Sequence, residues 1–413
     1  MAELERRRWQ RRILWVSWLT YASLYLGRVN IAVALPALQS AFGWTKAQAG
    51  WIGTAFFWVY ALGQLINGSL GDRLNPRLFV ALGLLASALA NLLFGFAGGL
   101  AAMIVVWALN GYVQSTGWGP IMRVLSRWFP AQQRGKVTAI FGPCYAAGHV
   151  ASWLLAGWLI DRVGWRAAFW APAALLALSA LHWGWRVRNS PAQVSGSASS
   201  AEDQPAPRLD LRALLAFVLA DPRLRAAALA CMAVGVVKES LSLWIPTYLM
   251  ESYGFDVVQA AGYAIWLPLA GALGIALSGY LAQRFFRADE APMATLLIGA
   301  LAVAVALYRP LVGWLGTAGI PLSLGWVGML TYGANALLLT ALPLAYGRAG
   351  RVSSVAGTLD FASYLGSGLG GIITGALVDW RSWGAAFAFW TVAALLGALA
   401  IGGLWWRNRQ PAG

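Results

Sequence analysis

Apolar runs of about twenty residues recur along the chain, separated by short charged or Pro/Gly-containing stretches. Such runs are too long and too evenly apolar for strands. Each is long enough to cross the ~30 Å hydrocarbon layer as a helix rising ~1.5 Å per residue. The pattern predicts twelve spans, at about 13–37, 48–70, 78–97, 100–124, 136–160, 166–186, 225–250, 259–283, 292–308, 321–345, 354–378 and 384–406. No water is present in a bilayer core to satisfy backbone polar groups, so the spans must be helices. The expected fold class is an all-α membrane protein.

One stretch departs from the pattern. Residues 189–208, NSPAQVSGSASSAEDQPAPR, are rich in Ser, Ala and Pro, lack periodicity and read as a flexible cytoplasmic linker. They divide the chain into a six-helix bundle over 1–188, a linker over 189–224 and a second six-helix bundle over 225–413. The halves repeat each other. PALQSAFG (36–43) is matched by PTYLMESYG (246–254), GWLIDRVGWRAAF (157–169) by GALVDWRSWGAAF (375–387), and GSLGDR (68–73) by GYLAQR (279–284). Pseudo-symmetric repeats are a transporter feature, with substrate held near the bilayer midplane between them.

Composition narrows the class further. A chain 59% hydrophobic, 11% charged and of mean hydropathy +0.62 is no soluble domain. A net charge of +15 invites a nucleic-acid partner, but the placement of the cations excludes one. They gather at the N-terminus (Arg6, Arg7, Arg8, Arg11, Arg12), in alternate loops (Arg73, Arg77, Arg123, Arg127, Arg134, Lys136, Arg208, Arg212, Arg284, Arg287, Arg348, Arg351) and at the C-terminus (Arg407, Arg409). The opposite side keeps Lys46, Arg162, Arg166, Arg309 and Arg381. This is the positive-inside pattern with both termini cytoplasmic. The basic start leads into a run too long for a cleavable signal peptide. Cys144 and Cys231 lie in apolar runs, which implies neither disulfide nor metal. There is no G-x-x-x-x-G-K-[ST] loop and no nucleophile constellation, and His149 and His182 are too scattered to hold a metal. An enzyme, an ATP-driven pump, a cofactor and a metal site are therefore not expected.

Charges inside the apolar runs carry the chemistry. Arg28 sits just past the middle of the first run, within YASLYLGRVNIAVALP (21–36). A cation at that depth costs about 2.5–3.5 kcal/mol on insertion scales, so it must face water or a partner. Ser17, Tyr21, Tyr25 and Arg28 share one helical face. A polar stripe ending in a guanidinium suits a carboxylate or phosphate, bound by two parallel hydrogen bonds. Alternatively, Arg28 snorkels to the interface or pairs with an acid. In the repeat it falls opposite Lys238, the other deep cation. Adjacent helix residues diverge by ~100°, so Lys238 is not expected to pair with Glu239, which should face another helix or the cavity edge. Asp360, Tyr364 and Ser367 form one stripe, and Tyr145, His149 and Ser152 a matching one. Each stripe reads either as binding site or as interhelical glue, and His149 as glue. Asp360, a carboxylate at membrane depth, reads as a salt-bridge partner of Arg28 or Lys238, or as a proton site. In the loop GSLGDRLNPR (68–77), Asp72 and Arg73 read as a conformational latch, or as turn chemistry beside Asn75–Pro76.

Three stretches make the reading more specific: LYLGRVNIAVALP around Arg28, GDRLNPRLFVALGL after the second run, and NGYVQSTGWGPIMRVLSRWF at 110–129. With the two halves and the linker, the chain resembles the major facilitator superfamily and, within it, the organophosphate:phosphate antiporter family. The resemblance implies a phosphate group bound between Arg28 and Lys238, where the family has two arginines. Lys238 replaces a planar fork with a point charge. It also implies site roles for Tyr21, Tyr25, Tyr60 and Tyr364. Gln64 and Tyr145 stand where the family has a lysine and a histidine. Val29, Leu243 and Pro268 are further departures, and Glu239 and Asp360 add acids. The cavity is thus less cationic, so a monoanion, a phosphonate or a zwitterion with its amine facing Asp360 stands beside a sugar phosphate.

The protein expected on these grounds is a transporter of a small organic anion, acting as a monomer in the inner membrane of a bacterium. It would work by alternating access in exchange for phosphate. Two cations ~10 Å apart repel by roughly 1.7 kcal/mol at an effective dielectric of ~20, and an anion between them turns that repulsion into two attractions. The alternatives are proton-coupled symport using Asp360 or Glu239, and a transporter-like sensor of phosphate esters.

Overall fold

The structure is a computed structural model describing residues 3–71, 73–195, 211–286, 290–344 and 352–407. Helix fills each of the expected runs. In order the elements are α1 (Glu3–Leu26), α2 (Asn30–Phe42), α3 (Lys46–Gly71), α4 (Pro76–Phe96), α5 (Leu100–Gln114), α6 (Trp118–Trp128), α7 (Ala131–Phe141), α8 (Cys144–Arg162), α9 (Ala167–Arg186) and α10 (Ala192–Ser195). They continue as α11 (Leu211–Ala220), α12 (Pro222–Tyr253), α13 (Val257–Ala264), α14 (Trp266–Phe286), α15 (Glu290–Leu315), α16 (Gly319–Ala336), α17 (Leu342–Leu344), α18 (Val352–Trp380) and α19 (Trp383–Arg407).

Prolines explain several of the breaks, because a missing N–H and a bulky ring disrupt the i→i−4 ladder. Pro120 follows the α5–α6 break, Pro143 lies in the α7–α8 break and Pro268 follows the α13–α14 break. Asn75 caps α4, its Oδ1 accepting from Arg77 N, with Pro76 at the first helical position. The matched segments 36–43 and 246–254 end alike, on Gly43 (φ 67°) and Gly254 (φ 69°) in the left-handed conformation that favours glycine.

Ten stretches are long and apolar enough to cross a membrane among the described residues. One of them, Ala291–Ala341, spans two of the expected runs, while the α5–α6 pair is interrupted too early to qualify. Leucines such as Leu82, Leu178, Leu273 and Leu399 stand exposed on the outer faces, as lipid contact requires.

Helices α3 and α18 lie side by side along much of their length, and α12 packs against α2, α18 and α19. Glycines allow backbones to touch: a Cβ on Gly235 would strike the Ser363 carbonyl, and one on Gly50 the carbonyl of Gly371. One end of the molecule is bridged. Lys46 pairs with Glu251 at 3.0 Å, Trp383 Nε1 donates to Glu251 at 2.9 Å, and Asp379 accepts from the backbone N–H groups of Lys46 and Ala47 at 3.0 and 2.7 Å. At the other end, Gln10, Trp128, Trp183 and Asn189 tie α1, α4, α6 and α9 together.

Candidate functional site

Arg28 is placed by the gap between α1 and α2. The chain leaves helical geometry over 27–29, which frees carbonyls that would otherwise accept within the helix. Side-chain amides take them up. Gln114 donates to Leu24 O at 3.0 Å; Asn91 and Asn110 donate to Gly27 O at 3.0 and 2.8 Å. Trp153 Nε1 donates to Val29 O at 3.1 Å and Ser152 to Leu26 O at 3.3 Å. Asn30, Ser87, Asn91, Asn110 and Gln114 are linked among themselves and fully or nearly fully buried. A Cβ on Gly27 would run into the side-chain ends of Asn91 and Leu176 and push Asn91 off its carbonyl. The break is thus a built corner, satisfied from α4, α5 and α8.

From that corner Arg28, a residue 8% exposed, points its guanidinium inward. It lies over the Tyr60 ring at 4.4 Å and within 5.6 Å of the Tyr25, Phe56 and Tyr364 rings. Its Nη2 donates to Tyr364 Oη at 2.9 Å. Among the described residues no carboxylate pairs with it. Aromatic faces stabilise the cation without using its N–H donors, and the Tyr364 hydroxyl takes up one of the five.

Lys238 lies in the unbroken α12. Its Nζ is 2.8 Å from Glu239 Oε1 and 5.4 Å from the Tyr332 ring. The pairing corrects the expectation from helical geometry. The backbone directs the two stems ~100° apart, but a four-carbon lysine stem can fold back, and each buried charge reduces the other's desolvation penalty. Glu239 does face the cavity edge: it lines a space of about 20 Å³ with Arg28, Phe57 and Ser242, enough for roughly one water.

The remaining expected residues separate into three groups. Tyr60, Gln64, Tyr364 and Asp360 stand together. The Tyr60 and Tyr364 ring centroids are 4.6 Å apart, and Gln64 Nε2 donates to Tyr60 Oη at 3.0 Å and to Asp360 Oδ2 at 3.5 Å. Asp360 makes no ion pair with Arg28 or Lys238. Tyr21, Tyr25 and Tyr145 form an aromatic wall: Tyr21 packs on Tyr25 and Trp118, and Tyr145 stacks on Tyr332 at 5.3 Å. His149 and Ser367 are interhelical, His149 Nε2 meeting Ser242 Oγ at 3.2 Å and Ser367 donating to Gly235 O at 3.3 Å. Asp72 lies outside the described residues. Arg73 is exposed and lines a groove with Arg123 and Arg127, away from the buried charges. Phe56, Phe57, Tyr332 and Ser242 were not expected at the site.

The Major Facilitator Superfamily model matches residues 17–363. The chain is 30% identical over 407 residues to the glycerol-3-phosphate transporter of Bacillus subtilis, covering 93% of this chain and 90% of that protein. It is 26% identical to a probable hexose phosphate transport protein of Chlamydia pneumoniae, covering 91% and 86%. Among solved structures it superposes on a bacterial homologue of the human lysosomal transporter Spinster, inward-facing and unoccupied. The TM-score is 0.79 at 18% identity, over 98% of this chain and 99% of that one.

Proposed function

Because the chain belongs to the Major Facilitator Superfamily and, within it, to the organophosphate:phosphate antiporter family, we propose that it carries a small organic anion across a bacterial inner membrane by alternating access, in exchange for inorganic phosphate. The observation that carries this reading is Arg28, a buried guanidinium with its fork unpaired by any described carboxylate, facing helices from the other half of the chain. An anion arriving there displaces one tyrosine hydroxyl rather than an ion pair. The working architecture is twelve spans with cytoplasmic termini, in bundles 1–188 and 225–413 that rock about the Arg28–Lys238 plane. The bridged Lys46–Glu251 end is then the outer gate, closed.

Binding the substrate draws the two halves together, because Arg28 and the polar groups facing it from the second half both gain contacts to it. The empty carrier lacks that bridge and crosses slowly, which makes exchange obligatory. A second reading is favoured by Asp360, which has no ion-pair partner among the described residues. Its protonation would couple return of the carrier to a pH gradient.

The test is phosphate-ester counterflow in proteoliposomes, with and without an imposed pH gradient. Arg28→Ala is expected to lower exchange at least a hundredfold while the protein stays folded, and Arg28→Lys to recover little, since a point charge cannot replace the fork. Full exchange by Arg28→Ala rejects the site. Net uptake that follows the gradient selects symport, and ligand binding without flux selects a sensor.

A further inference from the structure

Four formal charges lie deep in the helices at this site: Arg28, Lys238, Glu239 and Asp360. They sum to zero, and they are not distributed as two neutral pairs. Lys238 and Glu239 cancel each other at 2.8 Å. That leaves one cation, Arg28, and one anion, Asp360, each without an ion-pair partner among the described residues. A dianionic phosphate clamped between two cations does not match this arrangement, since one of the two cations is already neutralised.

The unmatched charges are held near each other and kept apart. Arg28 bonds Tyr364, and Asp360 sits four residues earlier on the same face of α18, ~6 Å along the axis. The Tyr60 and Tyr364 rings pack on each other beside Arg28, and Gln64 donates to both Tyr60 and Asp360. Both Gln64 donors are directed at these oxygens, and no described donor reaches its Oε1. A ligand bridging the two poles meets a forked donor at one end. At the other it meets the Asp360 carboxylate, held among the described residues only by one long hydrogen bond from the Gln64 amide, which suits an ammonium group.

We infer that the substrate is a zwitterion, a phosphate or phosphonate monoester bearing an ammonium group two or three carbons away, with its anionic oxygens on Arg28 and its ammonium on Asp360. This rests on the anion-transport reading above and narrows it. The ligand replaces the Arg28–Tyr364 and Gln64–Asp360 hydrogen bonds with its own two ends, and its ammonium offsets one of the negative charges the phosphate brings to a site that is neutral when empty. A substrate without the ammonium leaves the Asp360 charge uncompensated beside its own negative charge.

The matched probes are phosphoethanolamine and propyl phosphate, which share a phosphate ester of nearly the same length and differ in the ammonium. They are compared by binding to the full-length protein in detergent and by exchange in proteoliposomes. Wild type is expected to prefer phosphoethanolamine at least tenfold. Asp360→Asn should collapse that ratio towards one, and Asp360→Glu should keep most of it. Preference of wild type for propyl phosphate, or an unaltered ratio in a folded Asp360→Asn protein, overturns the inference and leaves anion transport standing. Failure to bind or exchange either ester overturns both. The wild-type ratio alone decides the matter if Asp360→Asn does not fold.

Discussion

The Arg28 and Lys238 corners occupy equivalent places in the repeat and have become chemically unlike. Downstream of each, the chain runs through a helix-internal proline, Pro36 or Pro246, to a left-handed glycine cap of almost the same φ. At the cations themselves the resemblance stops. The backbone breaks at Arg28 and is held open by buried amides from two helices, α4 and α5, whereas α12 runs straight through Lys238 for 32 residues. Arg28 rests on rings and a hydroxyl, Lys238 on the carboxylate of its neighbour. The repeat has kept the element ends, which set the packing of helices. It has not kept the charge balance, which sets what each corner can still bind.

The sharpest way to break this comparison is to separate the Lys238–Glu239 pair. If the two charges hold each other, Lys238→Ala strands a buried carboxylate and should destabilise the protein by about 3–5 kcal/mol. The double variant Lys238→Met/Glu239→Gln should recover most of that loss, since removing both charges leaves nothing unpaired. The measurement is unfolding of the detergent-solubilised variants. A Lys238→Ala protein as stable as wild type would mean that the pair is not what holds this corner, and the two corners would be more alike than they look.

The amide corner offers a smaller effect and tests the other side of the contrast. Asn110→Ala removes a donor from Gly27 O and an acceptor from Ser87, both buried. The expected loss is about 1–3 kcal/mol of stability. Because the corner aims Arg28, KM for exchange should rise several-fold as well. Lost stability with an unchanged KM would make the network a structural feature only, with no part in presenting the guanidinium.

Arg28 and Lys238 were legible in the sequence because a cation deep in an apolar run must face water or find a partner. Tyr21 and Tyr25 followed from helical spacing, and Tyr364 and Asp360 from the same spacing in the eleventh run. The Lys238–Glu239 pair was not legible, since periodicity gives the direction of a Cα–Cβ bond and not where a long flexible stem ends. Phe56, Phe57 and Tyr332 were hidden because an aromatic residue in an apolar run looks like any core residue. The break beside Arg28 left a fainter signal: Asn30, Asn91, Asn110 and Gln114 are amides inside apolar runs, and buried amides need partners. Which carbonyls they serve depends on three helices meeting, and no single run contains that information.

The bridged end should give the smallest energetic effect, and it asks whether the corners are closed off from one side by a latch or by packing. Asp379 accepts from two N–H groups at the start of α3, where the helix dipole favours a carboxylate, and Lys46 pairs with Glu251, itself 40% exposed. Exposed pairs of this kind contribute up to about 1 kcal/mol, roughly a fivefold change in a two-state population. Asp379→Asn combined with Glu251→Gln should therefore leave unfolding nearly unchanged while opening that end a few-fold more often. Thr54, fully buried beneath the bridge and donating to Gly368 O at 2.7 Å, is the reporter. A Thr54→Cys thiol should react a few-fold faster with an impermeant reagent in the double variant, and the difference should shrink at high salt as the charges are screened. An unchanged labelling rate would assign closure to the glycine-mediated contact of α3 with α18 at Gly50 and Gly371. The polar bridge would then be a consequence of closure, and the force that shuts the chamber would be the same dispersion packing that joins these helices along the rest of their length.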